Sequence, residues 1–283
     1  MHPISIIIPC YNAEGTLART LESCVAQPEA AQIVVIDDGS QDASRDIAAQ
    51  FAQRYPHIEL LGMPQNGGAA RARNWGAMHA LHPLLAFIDA DDEYMPGALA
   101  AAAQFLHDHP RQPSIRFDVE YCGFPAEITG HPQFAEHAGT LSNTVPSSLV
   151  IRRSLYAAFG GFPLDDVFRR HGGEDGAFSL ALLNIFGNPR LDDCKRVRMH
   201  YHPNIHAERY FRISMGMLAA PDELVDATRE ASWRFVRHAY EAITELRDAE
   251  LAPHLTAQAA QAAQTAQTAQ TAQAAQTSPN QSA

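Results

Sequence analysis

The first ninety residues alternate short apolar runs with amphipathic stretches, the pattern of strands fed through helices onto a parallel sheet. Residues 4–8 are an Ile-rich run closed by Pro9. Lacking polar alternation, the run has no wet face and predicts a central strand. Leu17, Thr20, Leu21 and Cys24 recur at helical spacing before Pro28, giving one buried stripe. Residues 33–36 form a second buried run, followed by Asp37-Asp38-Gly39-Ser40. Ser40 and Asp42 read as the cap and first turn of a helix that turns Ile47 and Phe51 inward. A third strand at 58–61, a turn at Gly67-Gly68, a helix over 69–81 and a fourth strand over 84–88 ending at Asp89 complete this region.

Beyond residue 92 the pattern loosens. Pro96 opens an Ala-rich helix reaching about residue 107, and residues 108–146 read as irregular structure with a strand or two. A strand is expected at 147–151, a short helix at 154–159 stopped by Gly160-Gly161, a firmer helix at 174–186 and a late strand at 196–201. Helical spacing over 217–250 places Leu224, Ala227, Ala231, Phe235 and Ala239 on one inward face. From residue 257 to 277 Gln recurs every third position among Ala and Thr. A period of three matches neither the helix nor the heptad, so a low-complexity tail without catalytic content is expected, disordered or as frayed helix.

Composition narrows the class. With 283 residues, 46% apolar, 17 Gly and 18 Pro, the chain is not collagenous, disulfide-dense or wholly disordered. A formal charge of -11 argues against nucleic acid and, as a general partner, anionic membrane, though peripheral membrane contact stays open. Cys10, Cys24, Cys122 and Cys194 show no Cys-x-x-Cys spacing, and the start lacks the basic flank of an export signal. The expected setting is reduced and cytoplasmic, either free or at the inner face of the membrane. No apolar run approaches the roughly 18 residues of a bilayer span.

Open parallel sheets bind ligands beyond the carboxyl ends of their strands. Here those ends carry Cys10-Tyr11-Asn12, Asp37-Asp38-Gly39-Ser40, Asn66-Gly67-Gly68 leading to Arg71 and Arg73, and Asp89-Ala90-Asp91-Asp92. Alone, the last run is a solvated acidic turn. Behind a buried strand, its alternate carboxylates offer hard oxygen ligands to Mg²⁺ or Mn²⁺ shared with phosphates. Asp37-Asp38 is either a capped helix start or a cap plus a contact to a base on which Tyr11 stacks. Arg71 and Arg73 either pair with a diphosphate or are solvated. Glu174 reads as a first-turn charge; Asp175 is a candidate base for a hydroxyl nucleophile. His200, His202 and His206 lack the companions of a zinc site, and are read as one metal contact and two surface residues.

In order and spacing, Ile4-Ser5-Ile6-Ile7-Ile8-Pro9-Cys10-Tyr11-Asn12, Val34-Val35-Ile36-Asp37-Asp38-Gly39-Ser40, Asn66-Gly67-Gly68 to Arg73-Asn74, Phe87-Ile88-Asp89-Ala90-Asp91-Asp92 and Gly173-Glu174-Asp175 resemble the family 2 glycosyltransferases over roughly residues 3–205. The resemblance implies an α/β GT-A fold over residues 1–215, with a donor half to about 107, an acceptor half from about 108, a helical extension over 216–250 and a tail over 251–283. It implies a nucleotide-sugar donor, uridine-linked by family habit, a carbohydrate or glycolipid acceptor, a divalent cation (Mn²⁺ or Mg²⁺), and inverting transfer in polysaccharide or glycoconjugate assembly. By the same resemblance Pro9, Tyr11, Asp37, Asp38, Gly68, Arg73 and Asp89 bind the donor nucleotide: Tyr11 near the base, Asp38 on the base, and Asp37 or Asp89 near the ribose. Asp91 is the principal metal ligand, His202 a further one, and Asp175 deprotonates the acceptor.

Two departures stand out. The Gln-x-x-Arg-Trp motif of processive members is missing, its nearest sequence being Ser232-Trp233-Arg234-Phe235, and Gly176 follows Asp175 where an aromatic is common. A non-processive enzyme is therefore expected. Acceptor specificity is assigned to 108–146 and to the loop over 162–173, where no code is readable. The rivals are a nucleotidyltransferase acting on a sugar phosphate, whose Gly-rich loop with Lys is missing after the first strand, and a silent nucleotide-binding scaffold, against which unpaired acidic clusters argue.

Overall fold

The computed structural model describes residues 2–219 and 222–248, with the side chains of 222–225 left aside; the Ala/Gln/Thr tail and the expected inward Leu224 lie outside the described positions. Its strands are β1 (Ile4–Cys10), β2 (Ala30–Asp37), β3 (Ile58–Gly62), β4 (Leu84–Phe87), β5 (Asp92–Tyr94), β6 (Ser114–Cys122), β7 (Leu149–Arg152) and β8 (Arg190–His200). The helices are α1 (Leu17–Val25), α2 (Ser44–Arg54), α3 (Ala69–His79), α4 (Ala98–Asp108), α5 (Ala126–Thr129), α6 (Phe134–Ser142), α7 (Arg153–Ala158), α8 (Asp166–His171), α9 (Glu174–Phe186), α10 (His206–Ser214) and α11 (Asp222–Asp248).

All eight strands join one sheet in the order β3-β2-β1-β4-β7-β6-β8-β5. The first four are parallel, as the alternating pattern predicts; β1 is buried on both faces between β2 and β4. The sheet is mixed beyond them. β7 runs antiparallel to both β4 and β6, β8 runs parallel to β6, and β5 closes the edge antiparallel to β8. Two apolar layers sandwich the sheet. One gathers α1, α2, α4 and the small helices α5, α6 and α10 around Leu21, Leu99, Phe117 and Phe211. The other packs α3, α7, α8, α9 and α11 around Phe87, Phe159, Phe162 and Phe178.

Several expectations are corrected. The turn after β2 is not capped by Ser40: α2 begins at Ser44, whose N–H and hydroxyl donate to Asp42 Oδ1 at 3.0 and 2.5 Å. Pro96 stands two residues before α4, which starts after Gly97 in the left-handed region (φ 77°). Residues 108–146 hold one strand of the one or two expected, the nine-residue internal β6, and two helices where irregular structure was expected. On α11, Ala231, Phe235 and Ala239 are buried as expected, but Ala227 is exposed, because the inward stripe continues through Val236 and Ile243 instead.

Candidate functional site

The loops that leave β1 and β2 are laced together. Asn12 donates its N–H to Ser40 Oγ (3.1 Å) and accepts the Gln41 N–H (2.8 Å); Glu14 and Ala43 are joined in the same way through Asp42 and Glu14 carboxylates. Asn12 itself takes a positive φ of 49°, a value that Asn tolerates better than most side chains. This clamp leaves Tyr11 standing at the rim, 50% exposed, with a free aromatic face. Pro9 is buried inside β1 opposite Ile36, so it lies beneath the rim where donor contact was expected.

Asp37 and Asp38 are both buried and already engaged. Asp37 accepts the Ser40 N–H at 3.0 Å and pairs with Arg45 at 3.1 Å, fixing the turn. Asp38 accepts the N–H groups of Gly67 and Gly68 at 2.7 and 2.8 Å, one on each carboxylate oxygen. Its visible work is to hold the glycine loop against the strand ends. Gly68 has φ +87°, which explains its lack of a side chain, and a Cβ there would meet nothing within 4 Å.

Arg73, from the second turn of α3, is the hub of the site. It was expected against a diphosphate. Instead it is buried, with Nη2 on Asp89 Oδ1 (2.6 Å), Nη1 on Glu174 Oε1 (3.2 Å) and its guanidinium 5.4 Å over the Phe162 ring. The carboxylates overcome the burial penalty and hold its pKa above the ordinary arginine value. Glu174, read from sequence as a first-turn charge, is thus half of a bridge between α9 and the end of β4.

The acidic run after β4 divides three ways. Asp89 turns to Arg73. Asp92, the first residue of β5, turns inward and accepts the Ser147 hydroxyl at 2.6 Å, and burial followed by the charges of Asp91 and Asp89 pushes its pKa well up. Asp91 turns outward, its Oδ2 lying 2.9 Å from His202 Nε2. Burial and the Asp89 charge raise the Asp91 pKa, and His202 offsets part of that rise. Of the other two histidines, His200 pairs with Glu93, and His206 opens α10 at the wall of a cleft described below. Among the described residues no group of three or more His, Cys, Asp or Glu side chains is placed to hold a metal. Asp91 and His202 still fit one class of cation. A hard ion such as Mg²⁺ or Mn²⁺ takes one or two protein ligands and completes its shell with water and phosphate oxygens, so a carboxylate and an imidazole at the rim suffice.

Asp175 lies in the first turn of α9, its Oδ1 accepting the Gly176 N–H at 2.7 Å. Burial and the neighbouring Glu174 charge push its pKa up to about 6, with Arg73 pulling against them. A carboxylate with that value is suited to taking a proton near neutrality. Beneath it, Ser179 Oγ donates to the Asp175 carbonyl (2.7 Å) and accepts Arg116 Nη2 (2.6 Å). Arg116 is fully buried, with its remaining donors on Thr144, Val145, Ser148 and Asn188. Neither Ser147 nor Arg116 was singled out from the sequence. An isolated Ser carries no signal, and Arg116 falls on the opposite face from Ile115, Phe117 and Val119, where a charge reads as an ordinary solvent-facing position; that this second face of β6 is also buried is visible only in the folded chain.

A cleft of about 250 Å³ runs between the glycine loop and α8, walled by Gly67, Gly68, Arg71, Arg170, Glu174 and His206 among others. Asp38 thus meets the site through the loop it holds, Asp89 and Asp175 through Arg73, and Asp91 through its neighbour Asp89. The segment over 162–173, expected as a loop, contains helix α8 and lines the cleft; none of 108–146 does.

Residues 5–126 match the model of glycosyl transferase family 2. The uncharacterized glycosyltransferase YibD of Escherichia coli is 45% identical over 94 residues, covering 33% of this chain and 27% of that protein. The succinoglycan biosynthesis protein ExoU of Rhizobium meliloti is 41% identical over 96 residues, covering 34% and 28%. The matched segment therefore spans little more than a quarter of either relative. Among solved structures, S. aureus TarS 1-349 in complex with UDP-GlcNAc superposes with a TM-score of 0.57 at 19% identity, covering 84% of this chain and 73% of that one. The mannosyltransferase PcManGT of Pyrobaculum calidifontis, in complex with GDP-Man and Mn²⁺, gives 0.57 at 17% identity, covering 88% and 76%. These likenesses show the fold to be of the GT-A type.

Proposed function

We propose, from a first segment that matches glycosyl transferase family 2, that this chain transfers a sugar from a nucleotide-sugar donor, uridine diphosphate-linked, to an acceptor hydroxyl, with inversion, in polysaccharide or glycoconjugate assembly. One observation carries the reading: Arg73 draws Asp89, at the end of β4, against Glu174-Asp175 at the start of α9, so that the acidic strand end and a carboxylate of raised pKa share one site. Tyr11 offers the base a stacking face. Asp91 and His202 would hold a divalent cation, which when bound supplies charge neutralisation for a departing diphosphate. Asp175 takes the proton from the attacking hydroxyl, and its α9 position is fixed from below by Ser179 and Arg116.

A nucleotidyltransferase is disfavoured because the segment after β1, Cys10-Tyr11-Asn12-Ala13-Glu14-Gly15, has neither the glycine run nor the Lys with which that chemistry cradles a phosphate. The test is a thermal-shift series with UDP, GDP and ADP, each with and without Mn²⁺. A ligand that binds only the native state raises apparent stability by about 2.7 kcal/mol at a hundredfold excess over its Kd. UDP with Mn²⁺ is expected to raise the melting temperature, and to do so less without the ion. If no nucleoside diphosphate moves the transition, the donor assignment is wrong.

A further inference from the structure

Six charged or titratable side chains line the cleft beside α9: Arg71, Arg169, Arg170, His206, Asp165 and Glu174. Both acids are spent elsewhere. Glu174 is held by Arg73 at 3.2 Å and Asp165 by Arg234 at 2.5 Å. Arg169 pairs with Asp166 at 3.3 Å. Arg71, on the first turn of α3, and Arg170, on α8 across the cleft, make no ion pair or side-chain hydrogen bond among the described residues. Two uncommitted guanidinium groups, from α3 and from α8, thus line one cleft in a chain whose formal charge is -11. The general field of such a molecule repels anions, so a cleft that collects unpaired arginines works against its surroundings and is selective for that reason. At about 250 Å³ it is at the small end of ligand pockets, the size for one sugar unit.

We infer that this cleft, one wall of which is Glu174 beside Asp175, receives an acceptor bearing an anionic group, a phosphate or a carboxylate, which Arg71 and Arg170 clamp. The inference rests on the transferase reading and adds the acceptor's chemical class to it. Arginine suits this task, since its planar fork matches the oxygens of either anion in a bidentate contact. On the transferase reading the base of the donor is assigned to Tyr11, which is not among the residues that line this cleft, so loss of the two arginines is read separately on the acceptor and on UDP.

Calorimetry on the full chain separates them. The probes are glucose 6-phosphate, glucuronate and neutral glucose, each titrated into wild type and into the R71A/R170A double variant; UDP with Mn²⁺ is titrated in parallel. Wild type is expected to bind one or both charged sugars at least tenfold more tightly than glucose, and which of the two is favoured tells phosphate from carboxylate. The double variant should lose about tenfold or more of that affinity while its UDP affinity stays within twofold. Both substituted residues are exposed, and an unchanged melting temperature checks that the variant is folded. Equal binding of glucose and the charged sugars overturns the inference, as does undiminished anion binding by the variant. A loss confined to UDP also overturns it, by assigning the arginines to the donor. Anion binding that depends on the arginines, with no UDP binding by wild type, leaves the clamp standing and removes the donor reading instead.

Discussion

Asp175 owes its chemistry to three neighbours with opposed effects. Burial and Glu174 raise its pKa to about 6 from an ordinary value of 3.8, while Arg73 and the Gly176 N–H restrain the rise. The folded state therefore binds this proton more tightly than the unfolded chain does. Stability from this residue is intact below pH 3.8 and is lost as pH climbs through about 6. At neutral pH the ionised carboxylate costs up to about 3 kcal/mol. Asp175→Asn removes the charge and keeps the shape. It is expected to melt a few degrees higher than wild type at pH 7.5 and level with it at pH 4, the gain and the loss of function arising from one atom. The same variant should show no transfer and an unaltered UDP affinity, whereas the wild-type rate should rise with pH through about 6. Normal turnover in Asp175→Asn would take the residue out of the mechanism.

Helix α3 shows what an element needs in order to deliver one side chain. It crosses β1 and β2 closely enough that a Cβ on Gly76 would meet Ile36 Cδ1 and sit 2.7 Å from Ile7 Cγ2. Elsewhere in a helix, Gly to Ala gains about 1 kcal/mol of propensity. Here the methyl would push α3 off the sheet, and Gly76→Ala is expected to destabilise by about 1–3 kcal/mol in urea unfolding. A gain in stability would show that the helix can shift freely. The sequence disclosed α3 and its neighbours because each buries a single unbroken stripe: the predicted Leu17, Thr20, Leu21 and Cys24 are the buried residues of α1, and residues 174–186 are α9 to the residue. It concealed β5, whose three residues include Asp92 and Glu93 and read as an acidic turn, since its pairing with β8 is visible only in space. Within 108–146 a strand or two was expected without bounds; Ile115, Phe117, Val119 and Tyr121 alternate along β6, but the Pro and His on either side blur where the period starts and stops. In the site, residue types at strand ends were legible but their partners were not: nothing in the order of residues ties Arg73 to Glu174, 101 positions on.

At the scale of the molecule, the site is a seam. The parallel strands bring the loops of Tyr11, Asp38 and Asp89; the antiparallel strand β7 then carries the sheet onward to β6, under α9 and its base. Ser147 stitches the seam by donating to Asp92 and accepting the Asp89 N–H at 3.0 Å, just ahead of β7. On the outer side, α11 covers α9, with Phe235 packed against Phe159 and Phe178 at ring separations of 6.3 and 6.0 Å. The Asp175 end of α9 is therefore held from beneath by the Ser179 and Arg116 hydrogen bonds and from outside by an aromatic cluster, neither of which includes Tyr11 or Asp38. Phe235→Ala leaves a cavity behind α9 and is expected to cost about 3–5 kcal/mol in urea unfolding. Because the change loosens only one side of the seam, it should lower the turnover rate while UDP affinity stays within twofold, measured where the variant is still folded. Equal losses of turnover and UDP affinity would mean that α11 supports the whole sheet, with no separate hold on the base.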